Sequence, residues 1–174
     1  MWGYWLFSLA CFHLIPTVVV FFALAPASMT MLATEQPPLC ALDAAGALVG
    51  VVAIVLTGVA DDQLRKHRAT AAPSEVCCTG LWAYSRHPNY FGETLFWVSL
   101  LPFGLAAYGG LSVALSSRPW LPMGAVVMVA LIRLASVPMM DARSLARRPK
   151  YAAVMRDVSA FVPWPPQRGA VELK

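Results

Sequence analysis

Charge is scarce in this chain. Asp, Glu, Lys and Arg make up only 13% of its 174 residues, while hydrophobic residues make up 59%. A soluble domain carries about a quarter charged residues, so an ordinary soluble fold is excluded. A mean hydropathy of +0.63 points the same way, to an integral membrane protein. Cysteine is equally uninformative as a scaffold. Cys11 and Cys40 are isolated, and Cys77 and Cys78 are adjacent. No CxxC and no Cys/His metal spacing occurs, so neither a disulfide framework nor a zinc site is expected. Cys11 reads as a small apolar residue of a membrane helix. The phosphate-binding GxGxxG and P-loop signatures are missing, as is the GxSxG of serine hydrolases. A nucleotide-type cofactor therefore needs a membrane-embedded site of another design. The modest net charge of +4 comes without any nucleic-acid recognition motif, and nucleic acid is not an expected partner. No internal repeat is visible.

What the chain does have is long apolar runs. A bilayer span needs about 20 such residues. The first run, 2–25, has no positive segment before it and reads as a span, not a signal peptide. Pro16 is its expected kink, and His13, its one ionisable group, is expected to be buried and hydrogen-bonded. Residues 34–40 form a polar turn around Pro37 and Pro38. A second run, 44–60, carries Gly46, Gly50 and Gly58, which suit close helix packing. The third, 91–108, contains Glu93, Trp97 and Pro102. A short external turn from Gly109 to Pro119 leads to the fourth, 120–138, which holds Arg133 and ends at Pro138. The tail, 139–174, is basic and aromatic, with a short amphipathic helix before a Pro-rich end. Of the 13 Lys and Arg, four lie in 61–88 and seven in 139–174. Basic residues collect on the cytosolic side of membrane proteins. The reading is thus an all-α, polytopic helix bundle forming one membrane domain. Two spans lie in 1–60, a cytosolic motif loop in 61–90, two spans in 91–138, and a cytosolic basic tail follows.

The polar residues concentrate in one stretch, Gly80-Leu81-Trp82-Ala83-Tyr84-Ser85-Arg86-His87-Pro88-Asn89-Tyr90-Phe91-Gly92-Glu93. It stands directly before the third apolar run. Pro88 suits the first position of a helix, which puts His87 at the N-cap. Asn89, Tyr90 and Glu93 then share a face. The free N–H groups of such a terminus favour anions. Glu93 falls about one turn inside the apolar run, where a carboxylate is costly and usually functional. Upstream, Asp61-Asp62-Gln63-Leu64-Arg65-Lys66-His67-Arg68 ends the second helix with mixed charge. Together the basic residues look like a phosphate site. Glu93 and Arg133 are each five residues from a bounding proline, so a membrane-depth ion pair between them is expected.

The 80–93 stretch resembles the C-terminal region of the steroid 5-alpha-reductase family, most closely a branch catalogued as a domain of unknown function. The chain keeps GLWxYSRHPNYxGE at every fixed position. Asp61 and Gln63 resemble that branch's Asp-x-Gln, and Tyr151, Arg156, Phe161 and Pro163 resemble its closing pattern. The resemblance covers roughly residues 45–165. His67, Asp141 and Met155 depart from it, standing where the branch has an aromatic residue, a Glu and a Tyr. Only two spans precede the motif, fewer than sterol reductases have.

The resemblance implies NADPH as cofactor and reduction of an activated double bond in a lipid or sterol-like substrate. It assigns cofactor binding to Asp61, Gln63, Arg65, Trp82, Tyr84, Arg86, His87, Asn89, Tyr90, Glu93, Tyr151 and Arg156. Tyr84 and Glu93 are its catalytic candidates, and no metal is implied. Isoprenylcysteine carboxyl methyltransferases share a shorter Arg-His-Pro-x-Tyr-x-Gly core, so methyl transfer from S-adenosylmethionine is the alternative. A non-catalytic membrane assembly protein that retains the fold is another. The expected membrane is the endoplasmic reticulum or a bacterial inner membrane.

Overall fold

The computed structural model describes residues 2–32 and 38–167. Most of the turn read at 34–40, the side chain of Cys11 and the tail beyond Gln167 lie outside the described residues. Those residues form helices and loops, with no strand among them. Among the described residues, four helices are long and apolar enough to cross a membrane: Ile15–Leu32, Ala41–Thr70, Pro88–Ala107 and Met123–Arg147.

The first apolar run begins as α1, Trp2–Ser8, widens into a π segment at Leu9–Leu14, and continues as α2, Ile15–Leu32. The cause is Pro16, which has no N–H to donate and crowds the preceding turn. Thr17 Oγ1 donates to the His13 carbonyl at 2.6 Å, satisfying an acceptor beside the disturbed turn. His13 is hydrogen-bonded as expected but not buried. Its side chain is exposed, and its one bond is to the Ser8 carbonyl at 3.2 Å. The helix also runs seven residues past the expected end at 25.

The second run lies in α3, Ala41–Thr70, a single helix of 30 residues. At 1.5 Å per residue it is about 45 Å long, well beyond a bilayer's hydrocarbon core. Its surplus is the charged end from Asp61 to Arg68. There Asp62 pairs with Arg65 and Lys66, each at 2.6 Å, on an exposed face.

The third span is broken. α4, Pro88–Ser99, gives way at Leu100 to α5, Leu101–Ala107, because Pro102 cannot continue the hydrogen-bond ladder. The expected turn at 109–119 contains a helix, α6, Leu111–Ser117, entered through Gly109 and Gly110 with φ of 78° and 105°. The fourth run comprises α7, Met123–Leu131, a π segment at Ile132–Ser136, and α8, Val137–Arg147. Pro138 does not end it. Pro sits in the first turn of α8, where its missing N–H is tolerated, and the π segment absorbs the misfit. Residues 139–147, read as tail, therefore extend this helix. The amphipathic helix expected in the tail is α9, Tyr151–Asp157.

The chain packs as two compact units. One comprises Met1–Gly50 and Trp97–Val129, centred on Leu105, Ala114 and Leu121. Within it α7 approaches α2 so closely that a Cβ at Gly124 would collide with the Phe22 and Ala23 backbone. Gly46 and Gly50 face Ser99, as expected of packing glycines, but nothing lies within 4 Å of a Cβ at Gly58. The other unit comprises Val51–Phe96 and Ala130–Lys174, and packs Tyr151, Val154 and Val158 against Val76, Cys78 and Met155. It holds the whole motif.

The Glu93–Arg133 pair is not formed. Both side chains are exposed, and no ion pair joins them among the described residues. The expectation counted regular helical turns back from Pro138, and the π segment that contains Arg133 breaks that count.

Candidate functional site

The motif begins as a docking device for α3. Gly80 has φ of 60°, a left-handed conformation, and a Cβ there would strike the Gln63 side chain. Gln63 Oε1 accepts the Leu81 N–H at 2.9 Å, and Trp82 Nε1 donates to the Ala60 carbonyl at 2.9 Å. A short 3-10 turn, Gly80–Ala83, results. Pro88 opens α4 as expected, with His87 before it, and the Phe91 N–H bonds the His87 carbonyl at 3.1 Å. Asn89 Nδ2 donates to Asp61 Oδ1 at 3.0 Å.

The centre of the motif then fastens the tail. Ser85 Oγ donates to the Phe161 carbonyl at 2.7 Å, and the Arg86 N–H donates to the Ser159 carbonyl at 2.9 Å. The Trp164 N–H donates to the Tyr84 carbonyl, also at 2.9 Å. Arg86 Nη1 donates to the Met155 carbonyl at 2.6 Å and the Val158 carbonyl at 3.3 Å. Its Nη2 meets Asp141 Oδ2 at 2.7 Å, with both side chains 8% exposed. Asp141 Oδ1 accepts from His87 Nε2 at 2.8 Å and from the Tyr151 hydroxyl at 2.6 Å. One carboxylate thus joins the motif loop, α8 and α9. A buried ion pair is tolerated only when its remaining polar atoms are also satisfied, and these two are nearly so. The exception is Arg86 Nε, buried without a partner.

Burial sets the protonation of this cluster. It holds the His87 imidazole below its ordinary pKa, although the Asp141 hydrogen bond and charge pull the other way. The ring is therefore neutral at pH 7, with its proton on Nε2. Burial, reinforced by Asp141, raises the Tyr151 phenol. Cys77 is raised by burial, and Cys78 is pushed up to about 11 for the same reason. Both, like Cys40, are free thiols.

Beside this cluster lies a cleft of about 450 Å³. Such a volume suits a small-molecule ligand. Its walls include Trp82, Tyr90 and Tyr151, with the His87 ring stacked on Tyr90 at 5.5 Å between centroids. Five arginines line it: Arg68, Arg86, Arg143, Arg147 and Arg148. No Asp or Glu does. Arg148 Nε donates to the Pro73 carbonyl at 3.1 Å. Arg68, Arg143 and Arg147 are exposed and have no hydrogen bond or ion pair among the described residues. Met140, Arg143, Ser144 and Arg147 follow three- and four-residue spacings on α8, so one helix face supplies them.

The cleft gathers six of the expected cofactor residues: Trp82, Arg86, His87, Asn89, Tyr90 and Tyr151. It does not gather the others. Asp61 and Gln63 brace the loop, and Arg65 is spent on Asp62. Tyr84 is half exposed and Glu93 exposed, both away from the lining. Arg156 pairs with Asp157 at 3.1 Å and borders a separate hollow with Trp164. Arg86, expected to meet phosphate, directs both Nη groups into the protein. The sequence reading missed Asp141 as a hub, and took Arg143 and Arg147 for topology-setting charges. Their spacing on one helix face was the available signal, hidden by ending the fourth helix at Pro138.

No curated protein and no solved structure matches the chain. The sequence model of one family does, over residues 1–158. Its description is "Protein of unknown function (DUF1295)", and since the match spans nearly the whole motif-bearing chain, the chain belongs to that family.

Proposed function

We propose that this protein is a membrane reductase that uses NADPH to reduce an activated double bond of a lipid or sterol-like substrate. The observation that carries the reading is the chemistry of the cleft: unpaired Arg68, Arg143 and Arg147 beside Trp82 and Tyr90, with no carboxylate in the lining. Guanidinium groups without partners suit phosphates, and flat aromatic walls suit a nucleotide base. A dinucleotide phosphate brings three phosphate groups and two ring systems. S-adenosylmethionine brings no phosphate and a sulfonium cation, so this cleft favours the reductase over the methyltransferase. When bound, the nicotinamide would supply hydride, while the protein supplies orientation and the exclusion of water. Arg143 and Arg147 would hold the phosphates, and Arg86 would act through the fold.

The motif side would face the cytosol, where NADPH is available, in the endoplasmic reticulum or a bacterial inner membrane. The substrate would enter from the bilayer. Kinship with the steroid 5-alpha-reductases, suggested by GLWxYSRHPNYxGE, supports the same reaction. An assembly protein would explain why Ser85 and Arg86 hold the tail, but not the unpaired arginines.

The test is direct binding of NADPH, NADH and S-adenosylmethionine to detergent-purified protein. NADPH should bind most tightly. Replacing Arg143 and Arg147 together with Gln should weaken NADPH by about 1.5–3 kcal/mol per lost charged hydrogen bond, with the melting temperature unchanged. Tight S-adenosylmethionine binding without NADPH binding would reverse the assignment.

A further inference from the structure

Reduction of a carbon–carbon double bond takes a hydride and a proton. The nicotinamide supplies the first and not the second, so the cleft needs a group that exchanges protons. We propose that His87, held by Asp141, is that group, passing a proton from Nδ1 to the substrate carbon beside the one that accepts hydride. The inference rests on the reductase reading and deepens it.

Geometry selects His87. Its Nε2–H is fixed on Asp141 Oδ1 at 2.8 Å, and its ring is fixed flat against Tyr90 with an interplanar angle of 8°. Nδ1 has no partner among the described residues, and the side chain lines the cleft. A carboxylate on one nitrogen orients the ring and stabilises the imidazolium, leaving the other nitrogen to exchange a proton. The other titratable groups of the lining serve less well. Tyr151 already gives its proton to the Asp141 hydrogen bond, and Cys77 is a buried thiol. Tyr90 is the rival.

The charges around the ring fit the role. Arg86 in the same loop, Asp141 on α8, Tyr151 on α9 and Tyr90 on α4 touch or adjoin it. Arg68 on α3, Cys77 in the loop, and Arg143, Arg147 and Arg148 line the rest of the cleft. Asp61 and Glu93 act electrostatically on Tyr90. Burial, with the Arg86 charge, disfavours the imidazolium in the empty cleft. Phosphates held by Arg143 and Arg147 would bring negative charge into the cleft, and a loaded cleft would then protonate His87 more readily. His87 would pass the proton from Nδ1 to carbon, while a bound dinucleotide would supply the hydride to the neighbouring carbon and be oxidised in doing so. The neutral imidazole would regain its proton from water.

Histidine occurs at only 3 positions, so replacing His13 and His67 with Gln leaves one ring to observe. In that protein, ring-labelled with nitrogen-15 and free of ligand, His87 should show the Nε2–H tautomer with Nδ1 unprotonated at neutral pH. Adding NADPH should raise its titration midpoint. An Nδ1–H tautomer, or a midpoint unmoved by bound NADPH, overturns the proposal. The second arm is H87Q, whose carboxamide N–H can still bond Asp141. NADPH affinity and melting temperature should stay near wild type, while NADPH-dependent lipid reduction falls about 100-fold or more. Wild-type turnover should fall as rising pH removes the imidazolium proton, and the activity left in H87Q should lack that fall. Y90F should keep that pH dependence. Unchanged turnover in H87Q, or loss of the pH dependence in Y90F, also overturns it. If no nicotinamide dinucleotide binds, the reductase reading fails and this role with it. If NADPH binds and H87Q reduces lipid normally, only the role of His87 fails.

Discussion

Arg86 shows how a residue can sit in a site and still serve the fold. Its guanidinium is shared between Asp141 and the carbonyls of Met155 and Val158, all within the protein. Arg86→Ala removes one partner of a buried ion pair and frees two carbonyls of the tail. A destabilisation of about 3–5 kcal/mol is expected, read as lost thermal stability in detergent. Arg86→Lys should recover little of it, because a point charge cannot reach a carboxylate and two carbonyls at once. Were Arg86 chiefly a phosphate ligand, either change would lower NADPH affinity and leave the melting temperature alone. His87 gives a prediction in pH. Its pKa is lowered on folding, so the folded protein binds fewer protons there than the unfolded chain. Its stabilising contribution is complete above the ordinary imidazole value of about 6.5 and is lost as pH falls through and below it. Melting temperature should decline over that range in the wild type and decline less in H87Q. Parallel curves would place the acid sensitivity elsewhere.

At the scale of elements, the apolar runs and the start of α4 were legible because each rests on one local rule. Run length finds a span, and Pro88 finds the first turn. The misreadings share a cause. Pro138 reads as the end of the fourth run and Pro16 as a kink within the first, whereas π segments at Ile132–Ser136 and Leu9–Leu14 precede both prolines and the helices run on. A widened turn has no sequence signature of its own, so α8 and its arginine face went unseen. The contact between Arg86 and Asp141, 55 residues apart, was likewise beyond any local pattern. Glycines show the same limit. Gly58 was read as a packing residue and faces open space, while Gly124 was overlooked and meets backbone. Gly124→Ala should cost about 1–3 kcal/mol, because the Phe22 and Ala23 backbone cannot turn aside as a side chain can. Gly58→Ala should be neutral or stabilising by up to about 1 kcal/mol, since it only improves helix propensity. Chemical denaturation of the two variants in the same detergent compares them, and equal losses would remove packing as the explanation.

For the molecule as a whole, the open question is which way it crosses the membrane. α3 offers a ruler. Cys40 lies exposed just before it, and the loop after Thr70 lies at its other end, about 45 Å away. The two points must therefore be on opposite sides of the bilayer. The charge distribution differs between these two ends. Arg65, Lys66 and Arg68 crowd the end of α3, and Arg143, Arg147 and Arg148 the end of α8. Neither Lys nor Arg occurs in 1–64, so nothing basic flanks Cys40. The proposed reading puts these basic ends in the cytosol, the side on which such residues collect. Cys77 and Cys78 are poor reporters of that side, one being buried and the other having its thiol pushed up to about 11. Thiolate is the reactive form, so both should label slowly wherever they are. Ser74, exposed in the loop, is a better site. With the protein produced in the inner membrane of intact bacterial cells, an impermeant maleimide should label Cys40 in the wild type. With Cys40 replaced by Ser, the S74C protein should stay unlabelled until the membrane is permeabilised. Labelling of S74C from outside, with Cys40 protected, would invert the orientation. It would also put the arginine cleft out of reach of cytosolic NADPH, and the reductase reading would fall with it.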